Sequence, residues 1–214
     1  MFDLYYAEGT ACLAPQVVLE RLALPYRLIE IDITKGMHRT PDFLAVNPAG
    51  KVPALRLPDG RIMTEAAAIC LHLADMTPEG ALSPATGHPD RPLFLSGLTF
   101  LATAVQPLYK RFYYPERLTT DRRAAAGIRA LAVRELEDAW SLVETHLAAH
   151  GPFHLGDRPS IVDIYMMMLI TWFDPMEELL ASRPAIDRCY RHVADWPAAR
   201  TCLARQGRIS IGTG

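Results

Sequence analysis

Asn47-Pro48-Ala49-Gly50-Lys51-Val52-Pro53-Ala54-Leu55 decides how the chain is to be read. A turn-forming run ends in a proline at the head of an apolar strand. Proline has no amide hydrogen and is normally kept out of strand interiors. One reading is a cis Val52–Pro53 bond, which turns the chain and opens the Val52 amide and carbonyl to an extended ligand that adds itself as a strand. The other is an ordinary trans proline on an edge strand.

Working outward, residues 51–57 and 61–64 read as strands joined by the turn Pro58-Asp59-Gly60, an antiparallel hairpin. Residues 66–74 follow as a helix. Upstream, the aromatic-rich stretch 2–7 reads as a strand. A helix then starts near 11–13, because Pro15 is tolerated only in a first turn. Residues 26–33 alternate as a second strand, and 34–48 read as irregular. Strand, helix, strand, irregular segment, hairpin and helix imply a parallel first pair extended by antiparallel strands. Residues 76–91 are rich in proline. No strand signal follows them, and helices are expected near 91–112, 121–149, 161–173 and 184–205. The expected organisation is an α/β thioredoxin-like domain over 1–77, a linker over 78–90 and an all-helical domain over 91–214.

Three places carry chemistry. At Thr64-Glu65-Ala66 a strand end runs into a helix start. The free amides and positive dipole end there suit a carboxylate, and Glu65 adds an acceptor for an ammonium group; the structural alternative is an acid that favours the helix start. Thr10 and Cys12 follow the first strand at its carboxyl end, where ligands gather in open α/β sheets. The Thr10 hydroxyl can donate to a sulfur, and Cys12 at a helix tip can itself be the reactive thiol. A turn or cap threonine and a small buried cysteine are the structural alternatives. Ser160 and Asp163 have capping-box spacing and read as purely structural.

Other features exclude more than they assign. A net charge of −2 shows no basic surplus for nucleic acid, and no apolar run reaches the ~18 residues of a membrane span. Cys12, Cys70, Cys189 and Cys202 form no CxxC pair, so neither a disulfide framework nor a metal site is expected, and a reducing cytoplasm fits. His38, His72, His146, His150, His154 and His192 show no metal-ligand spacing and read as surface groups. Tyr109, Phe112, Tyr113 and Tyr114 read as core or domain-interface packing, with the wall of a hydrophobic-substrate pocket as the alternative. The run Met166-Met167-Met168 reads as buried-helix filler.

In order and spacing these pieces resemble the glutathione S-transferases, and among them the bacterial beta class. The resemblance rests on Leu4-Tyr5-Tyr6 through Pro15, on Asn47 to Leu55, on Thr64 to Ile69 and on the Ser160–Asp163 capping box. It implies that Pro53 is cis, that Val52 pairs with the cysteinyl part of glutathione and that Lys51 is a polar contact. It also implies that Glu65 and the Ala66 amide hold the γ-glutamyl end, although many members carry serine where this chain has Ala66. A beta-class alignment puts the usual catalytic cysteine on Ala11, one place before Cys12; a delta-like alignment puts the catalytic serine on Thr10. A His-Lys pair of some beta members appears here as Gln106-Pro107, and Gln106 and Thr103 are the expected contacts from the helical domain.

The implied protein is a cytoplasmic, homodimeric, detoxifying transferase. It takes glutathione as co-substrate and a small hydrophobic electrophile as acceptor. It has no permanently bound cofactor, metal, nucleic acid or membrane partner. The alternatives are a glutathione-dependent thiol–disulfide reductase using Cys12 and a non-catalytic glutathione-binding or regulatory protein.

Overall fold

A computed structural model describes residues 1–78 and 82–206; residues 79–81 of the expected linker and 207–214 of the expected helical domain lie outside them. Strand β1 (Phe2–Tyr6) is buried along its whole length and lies inside a four-stranded sheet. It pairs in parallel with β2 (Tyr26–Glu30), Phe2 opposite Tyr26. On its other edge it pairs antiparallel with β3 (Ala54–Arg56), which continues into β4 (Ile62–Thr64), giving the order β2-β1-β3-β4.

Side chains alternate across a strand, so Phe2, Leu4 and Tyr6 face one layer and Tyr5 the other. The first layer holds α1 (Leu13–Arg21) and α3 (Ala66–Asp75). On the second, Tyr5 and Ala54 pack with Ile31 and Phe43. Asp3, on the Tyr5 face, accepts from Arg27 at 2.7 and 2.9 Å, and that guanidinium holds its carboxyl below the usual range.

Phe43 belongs to α2 (Pro41–Val46), a helix in the stretch read as irregular. The signal was present: the Thr40 side chain accepts from the Phe43 amide and Pro41 takes the first helical position. β2 is shorter than expected, since Asp32 takes the amides of Thr34 and Lys35 at 3.0 and 3.1 Å and turns the chain away.

The helical half begins with α4 (Arg91–Phe100), which passes through a π-helical turn at Leu101–Val105 into α5 (Gln106–Tyr113). Pro107 lacks an amide and would clash in a regular ladder; the wider turn just before it relieves that conflict. The resulting 23-residue helix is the one among the described residues long and apolar enough to cross a membrane, where no such run was expected. Here one face of it, including Phe94, Leu98, Leu101 and Val105, is part of the protein core. The remaining helices are α6 (Ala125–His150), α7 (Ile161–Ile170), α8 (Met176–Ser182), α9 (Pro184–Ala194) and α10 (Pro197–Gln206). α8 was not expected, and the helix expected over 184–205 breaks ahead of Pro197.

All ten residues of α7 are buried, and it packs on α1, α3, α4 and α9. A buried helix end needs partners for its free amides, and the capping box supplies them. Asp163 accepts from the Ser160 amide at 2.7 Å and the Ser160 hydroxyl at 3.1 Å, while Ser160 Oγ accepts from the Val162 amide at 3.2 Å. Asp163 also accepts from the His154 amide at 2.7 Å and the Cys189 thiol at 3.5 Å. Burial raises its pKa, and these donors oppose the rise.

Of the histidines nearby, His150 is exposed as expected, whereas His146 and His154 are partly buried. The His146 ring lies 4.8 Å from His150 and 4.4 Å from His154. His154 is pressed against Gly97, where any Cβ would come within 2.2 Å of its Nε2. Burial lowers its pKa to about 4.

Ser160→Ala removes one cap and is expected to cost ~1 kcal/mol. Asp163→Ala strands three or more buried donors at ~1–3 kcal/mol each and is expected to cost more. Both are read by urea unfolding, with glutathione affinity of the folded protein unchanged. His154 is held neutral in the fold, so the unfolded chain binds the extra proton. Its contribution is complete above pH ~6.5 and is lost as pH falls toward about 4. Stability is therefore expected to fall over that window, and to fall less in His154→Asn; an identical pH profile in the variant would contradict this.

Candidate functional site

Asn47 is buried and clamps the turn that precedes the site. Its Nδ2 donates to the Lys51 carbonyl at 2.7 Å, and its Oδ1 accepts from the Ala49 amide at 3.1 Å. The chain then passes through a cis Val52–Pro53 bond, and the β3 ladder begins only at Ala54. Val52 thus stands just outside the sheet. Beside it, Glu65 adopts φ +68°, a left-handed conformation that costs a non-glycine residue ~1–3 kcal/mol. The Glu65 side chain makes no cap bond to α3, so its carboxylate remains free of that helix. Ala66, Ala67 and Ala68 form the first turn of α3 and leave its amides uncrowded.

These groups line one side of a cavity of about 560 Å³; Thr99, Ala102, Thr103 and Gln106 line the other, with Tyr165. Tyr165 projects from α7 and donates to Gln106 Oε1, which leaves the Gln106 amide hydrogens for other partners. Burial pushes the Tyr165 hydroxyl pKa up, so it remains a neutral donor. The Thr103 hydroxyl is spent on the Thr99 carbonyl at 2.9 Å.

A second cavity, of about 430 Å³, opens beside the first and shares Ala11, Lys51, Val52, Ala102 and Gln106 with it. Its wall is aromatic, made by Tyr109, Tyr113, Tyr114 and Trp172. Tyr113 donates to the Trp172 carbonyl, and the Tyr109 and Trp172 rings meet edge to face at 5.7 Å. Burial and the neighbouring charge of Asp174 push the Tyr113 hydroxyl up to about 12, so it does not ionise at neutral pH. The aromatic run is therefore both core, at Tyr109, and cavity wall, at Tyr113 and Tyr114.

Gly9, Thr10 and Ala11 lie on this second cavity. The Thr10 hydroxyl sits 2.7 Å from the Ala7 carbonyl and 3.0 Å from Cys12 Sγ. Cys12 lines neither cavity. It is fully buried, and burial pushes its thiol up to about 12. One residue past the loop, its side chain turns into the core and away from both cavities, which speaks against Cys12 as a helix-tip nucleophile. Lys51, Val52, Pro53, Glu65, Ala66, Thr103 and Gln106 do meet around one cavity. Asn47, Tyr165, Lys110 and Trp172 were not singled out as site residues. Asn47 stood inside the diagnostic motif, whereas the other three carry no local signal. Among the described residues no cluster of His, Cys, Asp or Glu could hold a metal ion.

Family models for the glutathione S-transferase N-terminal domain and C-terminal domain match residues 11–76 and 120–205. Glutathione S-transferase GstA of Escherichia coli O157:H7 is 26% identical over 206 residues, 95% of this chain and 98% of its own length. A solved glutathione transferase from Methylococcus capsulatus is 32% identical, with a TM-score of 0.82 over 97% of this chain and 99% of that one. A Sulfitobacter glutathione transferase homologue, solved with bound glutathione, is 26% identical with a TM-score of 0.88, covering 96% and 98% of the two chains. The chain belongs to the glutathione transferase family.

Proposed function

We propose that glutathione lies extended across the larger cavity with its sulfur at the seam between the two, and attacks an electrophile held in the smaller one. The observation that carries this reading is the sharing of Ala11, Val52 and Gln106 by both cavities, beside Thr10 and the start of α1. In this arrangement the Val52 backbone pairs with the cysteinyl unit as an added strand. Glu65 takes the γ-glutamyl ammonium, and the Ala66 amide at the head of α3 takes the neighbouring carboxylate. Lys51 reaches the remaining charged end.

A free cysteine thiol has a pKa of about 8.5, and each unit of lowering represents about 1.4 kcal/mol. The Thr10 hydroxyl, turned from the Ala7 carbonyl toward the ligand sulfur, and the helix end at Ala11 together supply stabilisation of that order. The thiolate forms a bond to the electrophilic carbon, the leaving group departs with its electron pair, and the thiol proton passes to solvent. Homodimerisation, a cytoplasmic location and a role in detoxification are proposed on the family resemblance, and four free buried cysteines fit a reducing compartment. The division at 77 and 90 is proposed on the break between α3 and α4.

The test measures glutathione affinity, conjugation of a generic electrophile and disulfide reduction side by side. Conjugation is expected. Thr10→Ala is expected to raise the kinetic pKa of bound glutathione, and Cys12→Ala to keep turnover. Lost conjugation in Cys12→Ala, or a glutathione adduct on Cys12 required for turnover, would overturn the assignment.

A further inference from the structure

The second cavity has an uneven electrostatic lining. Among the described residues, two lysines, Lys51 and Lys110, face it and no aspartate or glutamate does. Other cations on and near α5 are committed: Arg111 pairs with Glu135 at 2.8 Å, and Arg117 pairs with Glu116 at 3.8 Å while lying 4.1 Å from the centre of the Tyr114 ring. Lys110 is exposed and has no acidic partner within ion-pair distance among the described residues. Asp174 acts on Tyr113 but lines a different, smaller cavity behind it.

A lysine kept unpaired at the rim of an aromatic cavity is poised for an anion that arrives on a flat apolar body. The hydrogen bond from Tyr113 to the Trp172 carbonyl fixes the wall, so a planar ring meets a prepared surface. With glutathione in place Lys51 is occupied by the peptide, and Lys110 is left as the cation for the second substrate.

Resting on the transferase reading, we propose that the acceptor is an aromatic electrophile carrying a carboxylate or comparable anion, which Lys110 recognises as a specificity-determining residue. For an aryl halide of this kind the glutathione sulfur bonds to the ring carbon that holds the halogen, and the carbon–halogen bond breaks with release of halide. The thiol proton goes to solvent. Lys110 takes no part in the bond changes and acts by holding the anionic group.

The experiment uses the full chain saturated with glutathione. Calorimetry, or quenching of tryptophan fluorescence, gives the affinities of two unreactive probes, dinitrobenzoate and dinitrobenzene. A partly exposed ion pair contributes up to ~1 kcal/mol, a factor of about five in affinity. Wild type is therefore expected to prefer the benzoate about fivefold, and added salt should weaken that preference. The ratio should fall to about one in Lys110→Met and persist in Lys110→Arg. Equal affinities in wild type, or an unchanged ratio in Lys110→Met, would overturn the proposal. Glutathione-dependent halide release from chlorodinitrobenzene is followed in parallel. If it is absent while the Lys110-dependent ratio holds, the conjugation reading fails and the anion site stands. If halide release proceeds and the ratio is one, the anion site fails alone.

Discussion

Asp163 carries a carboxylate sealed from water at the head of a helix with every residue buried. Four groups converge on it, from the Ser160 backbone and side chain, the His154 amide and the Cys189 thiol. A carboxyl group in such a place is tolerable only when fully hydrogen-bonded. Those bonds fix where α7 begins and tie the loop before it to α9. α7 then packs against α1 and α3 of the sheet-bearing half and α4 and α9 of the helical half, so one local cap bears on how the two halves meet.

The site is a consequence of that meeting. Tyr165, one turn into α7, reaches Gln106 at the mouth of the cavity and sets its amide. The π-helical turn brings Ala102 and Gln106 onto the cavity opposite Val52. Neither half alone encloses a ligand. The sheet half offers backbone groups and the free ends of two helices. The helical half offers aromatic rings and a lysine on the second cavity.

The sheet half was legible because its geometry depends on local chemistry. Pro53, Gly60 and Pro15 each restrict the backbone, and the alternation in β1 sets which side chains are buried. The Ser160–Asp163 box was legible for the same reason. α2 was missed because its six residues show little helical periodicity, although Thr40-Pro41 marks its start. The extent of the α4–α5 helix was legible over 91–112, but the π turn that absorbs the conflict at Pro107 is announced by no local pattern. At the site, Thr10 and Cys12 were separated only by side-chain direction. A helix tip lowers a thiol's pKa when the thiol faces solvent, but desolvation reverses the sign when it faces the core. Lys110 and Trp172 come together only through tertiary packing, so sequence spacing alone could not connect them.

Attack by glutathione on an electrophile requires the bound thiol to ionise more readily than the free one. Glutathione carrying a carbon-13 label on its cysteinyl β-carbon reports both binding and thiol ionisation in one nuclear magnetic resonance titration. The predicted result is a distinct bound signal whose midpoint lies below the free thiol's value of about 8.5. A bound signal that titrates at or above the free value, or no bound signal at saturating glutathione, would contradict it.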